Sequence, residues 1–168
     1  IGLWNLYQLA NALYPLIEET QPLETILENY KIDFEKKSLN MMKSKLGLEQ
    51  FNDEDAQLIQ NLEDTLLLTE TDMTIFFRAL SNFKKGEASK GLERVSAAFY
   101  TPNEVSDVVA QQWRNWFKNY DERLKKEMLT DAQRKLKMDA VNPKYVLRNY
   151  MAQLAIDDAN KGDYKLIA

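Results

Sequence analysis

The 168 residues include no cysteine and no histidine, which excludes a disulfide framework, a thiolate nucleophile, Cys or His metal ligation and the usual general base near neutral pH. Lys and Arg number 22 against 26 Asp and Glu; the net charge of −4 argues against a nucleic-acid partner, because neutralising phosphates drives that binding. Hydrophobic residues make up 45 %, with only five glycines and four prolines, and no apolar run approaches the roughly 18–20 residues of a membrane span, so composition points to one helical domain, cytoplasmic and with no membrane partner.

In chain order, Leu3, Leu6, Leu9 or Ala10, Leu13 and Ile17 recur at helical spacing and predict a first helix over about 3–17. The stripe is already running at the first residues with no N-cap ahead of it, and after Asp163 only one turn's worth of chain, Tyr164–Ala168, remains. Both ends are therefore expected to be cuts in a longer protein. Pro22 permits a new start, and Leu23–Lys45 reads as a long helix with Ile26, Tyr30, Phe34 and Leu39 on its buried side and Gly47 ending it. Asn52 precedes Asp53, Glu54 and Asp55, acids that suit the positive end of a helix dipole, and Leu58, Leu62 and Leu66 continue that helix.

Asp72 opens a fourth helix anchored by Phe76, Phe77 and Leu80. The stretch 84–100 reads either as a mobile loop, from its glycines, lysines and serines, or as a short helix through Leu92, Val95 and Phe99. Thr101, Pro102 and Glu104 have the form of a capping box, and the helix expected after them carries Trp113, Trp116, Phe117, Tyr120 and Leu124 as a core face. Thr130 with Gln133 predicts another short helix. No alternation of apolar and polar residues bounded by turns occurs, so the fold class expected is all-α, a bundle of about six to eight helices.

The motifs that carry chemistry fail one by one. Gly86–Gly91 has the G-x-x-x-x-G spacing of a phosphate loop, but Leu92 and Glu93 follow where Lys and Ser or Thr are required. Asp157 and Asp158 are neighbours on a helix and point about 100° apart, so they read as solvated charges. The basic stretch Lys125, Lys126, Arg134, Lys135 and Lys137 is interleaved with Glu122, Glu127, Asp131 and Asp139 and reads as a solvated helix face. Arg148, between two apolar stretches, is expected to pair with a carboxylate of another helix or of the missing part of the protein, a packing salt bridge being preferred over contact with a ligand. No catalytic, cofactor-binding or metal residue is assigned, and no cofactor is expected to be bound by residues 1–168.

The last segment, Val141–Asp163, reads V-N-P-K-Y-V-L-R-N-Y-M-A-Q-L-A-I-D-D-A-N-K-G-D. Locally it predicts a helix capped by Asn142 with Pro143 at its first position, closed by Gly162 after Lys161, with Val146, Tyr150, Leu154 and Ala155 on one apolar face. Its wording, N-P-x-x-V-L-R-N-[WY]-x-A-Q-x-A-I-x-x-A-x-K-G-D, resembles the C-terminal region of the SelO (selenoprotein O, YdiU-like) family. Three further blocks resemble that family in the same order: I-G-L-W-N-L-Y-Q-L-A-N-A-L at Ile1–Leu13, M-K-S-K-L-G-L at Met42–Leu48, and D-M-T-I-F-F-R-A-L at Asp72–Leu80. Met73 departs from the aromatic residue the family commonly places there.

The resemblance implies that residues 1–168 are the C-terminal part of a kinase-like protein adenylyltransferase, which moves AMP from ATP onto Ser, Thr or Tyr hydroxyls of proteins. It also implies that the nucleotide-binding Lys and Arg, the catalytic Asp and the Asn and Asp that hold Mg²⁺ lie upstream of Ile1. ATP and Mg²⁺ are then cofactors of the longer parent, and the partners are that upstream region in cis and protein substrates. The redox-active Cys or selenocysteine of some family members has no counterpart here. The alternative is a stand-alone helical interaction module, for which 52–83, with seven acidic residues and the single base Arg78, is one expected contact surface and 84–100 the other.

Overall fold

The computed structural model describes residues 1–50 and 52–167. Among them are eight α-helices and no strand, in keeping with the expected all-α bundle. The helices are α1 (Gly2–Ile17), α2 (Gln21–Leu46), α3 (Glu54–Leu66), α4 (Met73–Leu80), α5 (Gly91–Val95), α6 (Asp107–Lys125), α7 (Asp131–Val141) and α8 (Asn149–Ala159).

The core is organised around α6. Trp113, Trp116, Phe117, Tyr120 and Leu124 are all buried, as their spacing predicts. Phe76, Phe77 and Leu80 of α4, Leu58 and Leu62 of α3, Met42 and Leu46 of α2 and Met138 of α7 join the cluster. Each large polar aromatic that enters the core finds a partner. Trp113 Nε1 donates to Thr69 Oγ1 at 2.9 Å, Trp116 Nε1 to the Leu58 carbonyl at 3.1 Å, and the Tyr120 hydroxyl to the Leu46 carbonyl at 2.8 Å. These bonds remove the penalty of burying a donor and fix which helix each ring faces.

The stretch 84–100 takes the helical form of the two expected. Two 3₁₀ turns, Ala88–Lys90 and Ser96–Ala98, flank α5, and Val95, Ala98 and Phe99 enter the core. Gly91 is required by packing: a Cβ there would collide with the Phe117 ring. The Ala98 carbonyl accepts from the Asp72 amide at 2.8 Å and Tyr100 N donates to the Glu70 carbonyl at 3.0 Å, which ties this stretch to the start of α4.

Several expectations need correction. Thr101–Glu104 is not the start of the aromatic helix: Pro102–Glu104 forms a 3₁₀ turn, Val105 is extended, and α6 begins at Asp107 with Ser106 Oγ accepting from Val109 N at 3.3 Å. A proline at the first helical position suits a 3₁₀ turn as well as an α-helix, so the local signal was satisfied five residues early. In α2 the buried residues are Leu27, Met42, Lys43 and Leu46, while Ile26 and Phe34 are 63 % and 59 % exposed. The reason is that α2 serves two partners, α1 along its first half and the core along its last turns. No residue of α1 is buried; Leu3, Leu6 and Ala10 are half-covered, and Trp4 and Leu16 face outward. Gly47, at φ 69°, does close α2, with Leu48 N on the Lys43 carbonyl and Gly47 N on that of Ser44.

The helix expected to start at Pro143 begins six residues later, at Asn149. Asn142 instead ends α7, and it is buried between helices rather than capping one. Its Nδ2 donates to the Lys45 carbonyl at 3.0 Å, its Oδ1 accepts from Lys45 Nζ at 3.2 Å, and its own carbonyl accepts from Arg78 at 3.0 Å. Three long-range bonds outweigh one local cap, and residues 143–147 run without helix to reach α8. Val146, Tyr150 and Leu154 are consequently 39 %, 66 % and 53 % exposed. Gly162, at φ 88°, does close α8, through Asp163 N to the Asp158 carbonyl and Gly162 N to that of Ala159.

Candidate functional site

The buried ionisable groups cluster along the faces of α6. Asp55 is fully buried at the start of α3 and accepts from Arg123 Nε at 2.5 Å and Nη2 at 3.2 Å. Arg123 also pairs with Glu127 at 2.8 Å and donates to the Gln50 carbonyl at 2.7 Å, while Glu127 accepts from Glu49 N at 3.3 Å. Burial opposes the Arg123 charge, but Asp55 and Glu127 outweigh it and its pKa is raised. The acidic run 53–55 stands at the start of α3 as expected, and Asp55 there has a second role as the internal partner of Arg123.

A second buried carboxylate, Asp121, accepts from Gly86 N at 2.6 Å and pairs with Lys125 at 2.9 Å. Gly86, at φ 86°, thus turns its amide onto an anion of the protein itself, and Gly91 is filled by Phe117. That is why the G-x-x-x-x-G run is no phosphate loop. Arg134, fully buried, joins Asp131 at 2.7 Å and the Phe83 carbonyl, and its stem fills the space beside Gly47. The Tyr120 hydroxyl, pushed up by burial, stays protonated and donates to backbone. Lys45, pulled down by burial, lies 4.4 Å over the Phe77 ring and bonds Asn142. Asp157 accepts from Gln153 and Asp158 lies 3.7 Å from Lys161, so the two adjacent acids share no common ligand.

Arg148 finds the carboxylate expected of it. Its Nη2 lies 2.6 Å from Asp72 Oδ2, while Asp72 Oδ1 caps α4 by accepting from Thr74 N and Ile75 N at 2.9 and 3.0 Å. The Ile75 amide bond, opposed by burial and assisted by Arg148 and Thr74, holds the Asp72 carboxyl below its usual range. A depressed folded pKa makes the contribution complete above the ordinary aspartate value of about 3.9 and lost as pH falls below it. Asp72→Ala is therefore expected to cost about 1–2 kcal/mol at neutral pH. The Tm gap to the parent should narrow on acidification from pH about 5 to about 3; a gap that stays constant into acid would contradict the assignment.

Two adjoining depressions of about 290 and 270 Å³ lie on the α3–α6 seam, and a third of about 290 Å³ continues them between Gln50, Asn52 and Asp53 on one side and the end of α6 on the other. Neighbours share Asn61 and Asn119, or Arg123 and Lys126, so the three form one groove. Its rims carry carboxamides and exposed charges, features that composition could not place together. No group of three or more Asp or Glu converges among the described residues in a way that could hold a metal. No helix among them is long and apolar enough to cross a membrane.

A family model described as protein adenylyltransferase SelO matches residues 1–168. Similar curated proteins are named protein nucleotidyltransferase YdiU. That of Flavobacterium johnsoniae is 54 % identical over 165 residues, covering 98 % of this chain and 32 % of the relative. Those of Rhodopirellula baltica and Aromatoleum aromaticum are each 42 % identical over all of this chain, which covers 33 % and 32 % of their lengths. The chain spans about a third of the length of the curated relatives it matches, in their C-terminal part.

Proposed function

The chain belongs to the protein adenylyltransferase SelO family, and from that membership we propose that it is the C-terminal helical part of an enzyme moving AMP from ATP onto serine, threonine or tyrosine hydroxyls of proteins. The reacting groups are assigned to the other two thirds of the parent, in a kinase-like arrangement where chemistry is mostly positioning and charge neutralisation. Residues 1–168 act as one structural unit in cis with that region, and the parent works in the cytoplasm.

The observation that carries this reading is the use made of the buried charges. Asp55, Arg123, Glu127, Asp121, Arg134 and Asp72 are each bonded to backbone or to another charged side chain across or along the helices. Groups so committed hold helices in register and are turned to the protein's own backbone and side chains, although Arg134 Nε has no partner among the described residues. No three acids converge among the described residues and the Gly86 amide is presented to Asp121, which supports assigning ATP and Mg²⁺ to the remainder of the parent. Half-covered α1 and α8, with Trp4, Tyr7, Tyr150 and Leu154 exposed, are the faces suited to lie against the remainder of the enzyme.

Incubation with α-labelled ATP, Mg²⁺ and a general acceptor protein tests the assignment. The 168-residue chain alone is expected to transfer no label, and the same chain joined to its upstream region is expected to label the acceptor. Robust AMP transfer by residues 1–168 alone would place the chemistry here and overturn the reading.

A further inference from the structure

We infer that the α3–α6 groove binds an extended polypeptide segment carrying basic side chains. The inference stands on the groove itself and does not depend on where the nucleotide chemistry resides. The two helices run antiparallel, with Glu54 beside Lys126, Asp55 beside Arg123 and Asn61 beside Asn119. Leu58, Thr65 and Trp116 form a buried floor. The Trp116 indole N–H is already committed to the Leu58 carbonyl, so that floor donates nothing further.

The rims are unlike the floor. On α3, Gln57 Nε2 donates to Asn61 Oδ1 at 2.8 Å; on α6, Gln111 Nε2 donates to Asn115 Oδ1 at 3.0 Å, and Asn119 follows four residues on. These bonds leave the Asn61 and Asn115 amide donors, the Gln57 oxygen and the whole Asn119 carboxamide without a partner among the described residues. A carboxamide offers one acceptor and two donors, the complement of a peptide backbone. Rows at four-residue spacing on a helix repeat every ~6 Å, close to the ~6.6 Å at which an extended strand presents successive like-directed backbone groups. Two facing rows of that pitch can therefore hold a strand by its main chain.

Charge selects its side chains. The α3 rim belongs to the acidic stretch 52–83, and Asp64 has no ion-pair partner among the described residues. Glu54 and Glu122 pair only with Lys126 and Lys125, all four being exposed, so an arriving lysine or arginine can exchange with these weak pairs. An acidic rim also repels phosphodiester, which favours polypeptide over nucleic acid.

The test uses a fluorescent alternating Lys–Ala peptide of about eight residues, longer than the roughly five that the groove takes, titrated against the whole chain by anisotropy. Saturable binding is expected. Asn61→Ala combined with Asn119→Ala should weaken it about tenfold, as should N-methylation of alternate peptide amides. Glu122→Lys should weaken it several-fold. Asn119 is exposed and Asn61 half-buried, and unchanged melting curves will show that the fold survives. The inference is overturned by absence of binding, by equal binding of the N-methylated peptide, or by an affinity indifferent to both asparagines, since charge alone would then account for it.

Discussion

Asp55→Ala is expected to lower the unfolding free energy by about 3 kcal/mol, at the lower end of the cost of removing one partner from a buried ion pair. The side chain is fully buried and makes two bonds to the Arg123 guanidinium, while its second oxygen also accepts from Asn52 N at 3.0 Å. Alanine would leave the guanidinium with Glu127 and the Gln50 carbonyl, which lessens the penalty without removing it. It would also free the backbone amide that orients the entry into α3.

The loss shrinks if all the charges go together. Replacing Asp55, Arg123 and Glu127 at once with apolar residues of similar volume should be less destabilising than Asp55→Ala alone, because no uncompensated ion remains. Urea unfolding at neutral pH measures both variants. A loss below about 1 kcal/mol for the single variant would show that the network is solvated and belongs to the surface.

Trp113→Ala should be as costly or more so, about 3–5 kcal/mol. Trp113 is completely buried, with ring centroids of Phe76 and Phe99 each 5.5 Å away and Phe117 at 6.1 Å. Its removal opens a cavity between α4, α6 and the turn before Phe99, and it strips Thr69 of its donor. Trp113→Phe separates the two contributions. It fills most of the space and should cost about 1–2 kcal/mol, chiefly for the unsatisfied Thr69 hydroxyl. Equal losses for the two substitutions in chemical denaturation would mean that the hydrogen bond, and not the volume, dominates.

Features whose partners lie within a few residues were readable in advance. The short helix predicted from Thr130 and Gln133 forms, opened by a capping box with Gln133 N on Thr130 Oγ1 at 3.3 Å and Thr130 N on Gln133 Oε1 at 3.0 Å. Asp72 caps α4, the aromatic face of α6 is core, and Gly47 and Gly162 end their helices. Other features lay beyond local reading because their partners are distant in the chain. Asp55 had an adequate local explanation as a helix-start acid, yet its partner Arg123 lies 68 residues away. Asn142 had an equally good one as an N-cap, and its partner Lys45 lies 97 residues away. The exposure of Ile26 and Phe34 followed from α2 changing partners midway, which no periodicity encodes.

Helical spacing, caps and the absence of cysteine and histidine were enough to establish an all-α chain without thiol or imidazole chemistry, and the wording of four blocks was enough to indicate the family. Those properties are local or compositional, so they survive being read one residue after another. Which acids are internal, where the last helix starts and that the α3 and α6 carboxamides line one groove depended on helices distant in the chain coming together. A side chain with two competing partners takes the one that also removes it from water, and only the packed molecule brings that partner within reach.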